Sequence, residues 1–165
     1  MSSKFLVRGA LLIALAVILQ SLRLVLPLPQ FLSTFFIGTL VHMMLVLTWQ
    51  YAGLVPTMLL SLILPMTAYL EGQLLLAFLI PIVCLGNLLF VLSLRFFIQR
   101  KFFSLFIPPL AKAAVMLLAA WSVANFMQLE DPVTRKTIFI AMSIPQFITG
   151  FAGIILARQM HNILN

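Results

Sequence analysis

LVLPLPQFLSTFFIGTLVHMMLVLTWQYAGLVPTMLLSLILPMTAYL, residues 24–70, runs for 47 positions without an Asp, Glu, Lys or Arg. A helix needs about 20 apolar residues to cross a hydrocarbon core of roughly 30 Å. The stretch is too long for one crossing and right for two joined by a tight connection. We place them at 31–51 and 53–69, with Pro56 in the first turn of the second, where its missing N–H costs little. Glu71-Gly72 closes the run. Working outward, the charges parse the rest. A first span, 5–28, carries Arg8 near one end and Arg23 near the other, both able to snorkel to an interface, and Pro27 and Pro29 end it. A fourth span, 73–94, precedes the basic cluster Arg95, Arg100 and Lys101. Pro108-Pro109 opens a fifth, 108–129, which stops at Glu130-Asp131-Pro132, and the sixth covers 137–157. Pro65, Pro81 and Pro145 fall inside spans, where bundle neighbours can take up the freed carbonyls. The predicted fold is an all-α integral membrane protein, a single transmembrane domain over 1–165 forming a compact bundle of six helices.

Composition demands the same solvent. Of 165 residues, 64% are hydrophobic and 8% charged, against about 25% charged in soluble domains. The formal charge is +7, but the basic residues are scattered between apolar runs and form no patch for nucleic acid. Cys84 is the single cysteine, which excludes a disulfide framework and a cysteine metal cluster. The first 28 residues start basic and turn apolar like a signal peptide, yet no small-residue cleavage site follows, so the segment reads as a retained span. Six crossings put both termini on one side. Placing them in the cytoplasm gathers Lys4, Arg8, Arg95, Arg100, Lys101, Lys112 and Arg158 inside, against Arg23, Arg135 and Lys136 outside, and positive charge favours the inner side.

Several chemistries lack their residues. Magnesium-dependent work on phosphates needs clustered carboxylates, and the three acids, Glu71, Glu130 and Asp131, all lie in loops. His42 and His161 are too far apart for a zinc site, and no P-loop occurs. No catalytic residue, metal site or cofactor is expected, and the protein is not predicted to be an enzyme. His42 is the one ionisable residue expected near the membrane centre, and it reads as a hydrogen-bonded packing residue rather than a proton relay. Lys112 reads as a snorkelling anchor.

Small and polar residues carry the remaining signal. Lipid provides no hydrophobic drive for helix association, so small residues four apart mark close approach. Ala10 and Ala14 have this spacing on the first helix, and Ala120 and Ala124 repeat it on the fifth. Polar residues fall on single faces by the 3, 4, 3 rule. Gln73, Cys84 and Asn87 do so on the fourth helix, Trp121, Asn125 and Gln128 on the fifth, and Ser143, Gln146, Gly150 and Gly153 on the sixth. Buried amides need partners, so the faces either bond the helices together or converge on an outward-opening cavity. Asn87 lies deeper than the others and can brace the bundle instead. Trp121 and Tyr69 offer stacking surfaces or serve as interfacial belt residues.

RGALLIALAVILQ (8–20), FIGTLVHMMLVLTWQYAGLVPTMLLSLILPMTAYLEGQL (36–74) and IPIVCLGNLLFVL (80–92) together resemble the S-component, the substrate-binding membrane subunit, of energy-coupling factor (ECF) transporters. Detailed likeness covers roughly the first 95 residues, and the remainder matches in span number and charge. The resemblance implies a multi-pass protein of the bacterial plasma membrane that captures a vitamin or similar micronutrient from outside. It implies docking through Ala10 and Ala14 on a transmembrane coupling subunit, whose two ATPase subunits drive toppling and inward delivery. Substrate contacts then fall on Glu71, Gln73, Asn87, Trp121, Asn125, Gln128 and Gln146, with Arg23 in the lid region. No residue set matches one particular vitamin. The competing classes are a structural or assembly membrane protein and a lipid-processing enzyme.

Overall fold

The computed structural model describes residues 3–74, 76–97, 99–100 and 102–164. Lys101 of the basic cluster lies outside them. Seven helices follow in order: α1 Ser3–Val25, α2 Gln30–Ala52, α3 Leu54–Leu70, α4 Leu79–Phe97, α5 Phe103–Phe126, α6 Pro132–Ala141 and α7 Ile144–Leu164. Five segments are long and apolar enough to cross a membrane, α6 and α7 together counting as one, and the 17-residue α3 is a sixth apolar helix at the lower length limit for a crossing. The chain is an all-α, multi-pass membrane bundle.

Turn chemistry explains the boundaries. Gly53, at φ 76°, ends α2 with its N–H bonded to Trp49 O at 3.1 Å and starts α3 at once. Gly72, at φ 72°, ends α3: its N–H bonds Tyr69 O at 3.0 Å and that of Gln73 bonds Ala68 O at 2.8 Å. This is the paired capping pattern of a Schellman turn. Gln128 ends α5 the same way, with its N–H on Asn125 O at 3.2 Å and that of Leu129 on Ala124 O at 3.0 Å, but at φ 49° without being glycine. Asp131 caps α6 by accepting from Thr134 N at 2.9 Å and Val133 N at 3.3 Å, with Pro132 in the first turn. These bonds, the Thr134 hydroxyl's first among them, hold the Asp131 carboxyl below its ordinary range.

Three expected spans need correction. The fourth begins at Leu79 rather than residue 73, because the Schellman turn after α3 runs into further turns before Leu79. Pro81 therefore sits in a first turn. The fifth begins at Phe103, so Pro108 and Pro109 lie inside it instead of opening it. The sixth starts at Pro132 and breaks between Ala141 and Ile144. Pro145 offers no N–H to the Ala141 carbonyl, the partner it would take in a continuous helix. The Gln146 side chain donates to that carbonyl instead, at 3.2 Å.

Packing is dominated by α2 against α7 and α4 against α5. Glycines permit both. A Cβ on Gly153 would lie 2.5 Å from His42 Cβ and 2.9 Å from Met43 N, and one on Gly86 would lie 2.6 Å from Met116 Cγ. One core cluster includes Met44, Leu60, Phe90 and Ile154, and a second gathers Leu79, Met116, Ile138 and Met142. Tyr51 at the end of α2 bonds His161 at 2.9 Å, Arg158 bonds Ser104 at 2.5 Å, and Phe5 packs beneath Gly53. The first turns of α1 and α5 and the last turns of α2 and α7 therefore share one end of the bundle, which also holds Arg8, Arg95 and Arg100. The opposite end holds all three acids.

Candidate functional site

The three-acid end leads into a cavity of about 200 Å³. Its walls come from α1, α2, α3, α4, α5 and α7, together with Gln73 and Leu74 after α3, Ala141 at the end of α6 and Met142 just after it. Apolar side chains such as Ile37, Val41, Leu64 and Val83 make most of the lining. The polar groups fall at two depths.

At the deep level stand His42, Asn87 and Lys112, each buried with 2% of its surface exposed. Measured along their helices from the three-acid end, they lie about 18, 12 and 21 Å in, at 1.5 Å per residue. Lys112 Nζ donates to Asn87 Oδ1 at 2.6 Å and to His42 Nε2 at 2.8 Å. His42 Nδ1 lies 2.7 Å from Gly38 O. A carbonyl only accepts, so the imidazole proton is on Nδ1, and Nε2 is free to receive the lysine's hydrogen. Phe90 meets the His42 ring edge-on at 5.1 Å and fixes its plane.

At the outer level stand Arg23, Gln73 and Gln146. Arg23 Nε is buried without a hydrogen-bond partner. Gln73 donates to Glu71 Oε2, while Ser21 Oγ donates to Glu71 Oε1 at 2.5 Å, which ties the loop after α3 to α1. Beside them, Gln20 Nε2 donates to Leu64 O at 3.0 Å and Thr67 Oγ1 at 2.7 Å, pinning α1 to α3.

Of the eight residues expected at a substrate site, the structure brings Arg23, Gln73, Asn87 and Gln146 to the cavity wall, and Glu71 stands behind Gln73. Trp121, Asn125 and Gln128 are elsewhere. Trp121 is 55% exposed, Asn125 accepts from Arg135 on α6 at 2.5 Å, and Gln128 is the exposed turn residue after α5. The expected convergence of three polar faces is thus not met on α5. That helix turns Met116, Ala120 and Ala124 inward, because small residues let it approach α4 closely. On α7, Gly150 and Gly153 are packing contacts, against Pro109 and His42, and Thr149 rather than Ser143 reaches the cavity.

Lys112 is the main correction. Read as an interfacial anchor on a helix starting at 108, it lies about 14 Å beyond Phe103 and points into the bundle. The missed signal is a lone lysine in an otherwise uncharged run from Phe102 to Leu129, since an intramembrane ionisable side chain calls for a buried partner. His42, read as a packing residue, is that partner together with Asn87.

Ala10 and Ala14 lie on an exposed face of α1, whereas Gly9 and Ala16 face inward, Gly9 against Pro56. Among the described residues no cluster of three metal-binding side chains occurs. No protein-family model, curated protein or solved structure matches this chain. Fold and cavity define a class: a multi-pass helical membrane protein enclosing a partly polar cavity that reaches mid-bundle from one end.

Proposed function

We propose that this protein is the substrate-binding subunit of an ECF-type importer in the bacterial plasma membrane, capturing a vitamin or similar micronutrient from outside. The observation that carries the reading is the cavity itself. A bundle in lipid has reason to close its polar groups against one another, yet here cations and amides from four helices and the loop after α3 border shared empty space. The cavity opens toward the three-acid end, and positive charge concentrates at the other end, the side favoured for the cytoplasm. Capture is then from outside and delivery inward. The exposed Ala10–Ala14 face adds support, because two small residues one turn apart admit a partner helix at close range, as the coupling subunit of such an importer requires. The chain has no P-loop and takes its energy from the partner's two ATPase subunits.

Affinity purification from native membranes in mild detergent tests this. The expected result is recovery of one membrane coupling subunit and a pair of ATPases with the tagged chain. Recovery with cell-envelope assembly factors and no ATPase would favour a structural role instead.

A further inference from the structure

Lys112 is buried among apolar walls, and its two acceptors, Asn87 Oδ1 and His42 Nε2, are both neutral. As an ammonium, the form that an anionic ligand would stabilise, Lys112 carries three donors and a full charge, which leaves one donor and the charge over. Nothing described in the bundle cancels them. Glu71 is the sole acid near the cavity, and it lies at the outer level, held by Ser21 and Gln73, where it acts on Arg23 through space. The outer cation thus has a compensating carboxylate and the deep one has none. A buried charge with no counter-charge is among the costliest arrangements a protein can hold, and in a membrane bundle it marks a functional partner that is missing.

We propose that the missing partner is the ligand, and that the cavity takes a compact, mostly apolar molecule bearing a carboxylate, which docks on Lys112. This rests on the cavity being a ligand site and adds the charge and size of what fills it. A carboxylate oxygen accepts the third lysine hydrogen, and its charge replaces the solvation lost on burial. Ile37, Val41, Leu64 and Val83 enclose the apolar body. The unpartnered Arg23 Nε–H and the Gln146 amide at the outer level suit a second, neutral acceptor at the other end of the molecule. At about 200 Å³ the space lies below the roughly 300–1,000 Å³ of pockets for drug-sized ligands, which selects a single ring or a short chain.

The test is calorimetric titration of the purified chain in lipid nanodiscs with matched probes: hexanoate, benzoate and nicotinate, and the primary amide of each. Small molecules released on denaturation are identified by mass spectrometry in parallel. At least one carboxylate should bind tenfold or more tightly than its amide. Lys112→Gln and Lys112→Met should both abolish that preference, and Lys112→Arg should retain it. Because the readout is a preference within each variant, partial loss of folded protein does not mimic the effect. Amides binding as well as carboxylates, or a neutral or cationic molecule released from the purified protein, would overturn the anion assignment and leave the cavity standing as a ligand site. If none of the probes binds and no small molecule of any charge is released, the ligand-site reading fails with it.

Discussion

Gln128 holds a left-handed backbone conformation at the end of α5 that Gly72 holds at the end of α3. A side chain there costs roughly 1–2 kcal/mol that glycine avoids, part of it returned as extra entropy of the unfolded chain. Gln128→Gly is therefore expected to stabilise the bundle by about 1 kcal/mol, read as a higher midpoint in an SDS unfolding titration. Unchanged or lower stability would mean that the Gln128 side chain makes a contact of its own. Residue by residue, the sequence was a good guide to Gln73, Asn87 and Gln146 and a poor one to Asn125 and Gln128, which are exposed. Gln146 was legible as an inward amide, but its bond to the Ala141 carbonyl depends on Pro145 breaking a helix that hydropathy reads as continuous. Lys112 was misplaced because a prolyl pair suggests a helix start, and five residues of error carry a side chain across a quarter of the membrane.

At the level of elements, close approach of α2 and α7 sets the position of His42 and through it Lys112. A Cβ at Gly153 would meet backbone atoms, Met43 N at 2.9 Å and Thr39 O at 3.0 Å, which cannot rotate away. Gly153→Ala should cost about 1–3 kcal/mol of stability and weaken ligand binding at the same time by tilting α2. A stable variant with unaltered affinity would show that the two helices can separate without moving the site. α1 presents the contrasting case. Ala10 and Ala14 are exposed on α1, so Ala10→Trp and Ala14→Trp should leave stability and ligand affinity near their starting values, while copurification with a coupling subunit is lost. Destabilisation of the isolated chain would contradict the exposed placement. Spacing alone could not separate this pair from the buried Ala120 and Ala124, since both share a face and only the three-dimensional packing says which face is occupied.

For the molecule as a whole, the apolar runs made the fold class legible and the charges made its two ends legible. Removing Lys112 from the inner tally leaves the asymmetry in place. In a Cys84→Ala background, a cysteine at Val133, 71% exposed, should react with an impermeant thiol reagent in intact cells, and one at the exposed Gln99 should not. The reverse pattern would turn the cavity toward the cytoplasm. The site was only half legible, because sequence periodicity finds polar faces but not empty space, which depends on how six helices fail to fill their common centre. The cavity is tested most directly by the amount of small molecule released on denaturing the purified protein, compared between the native chain, Val83→Trp and Asn125→Ala. Close to one equivalent is expected from the native chain and from Asn125→Ala, and none from Val83→Trp, whose indole fills the cavity while the fold persists. Full release from Val83→Trp, or loss from Asn125→Ala, would contradict the cavity as the ligand's site.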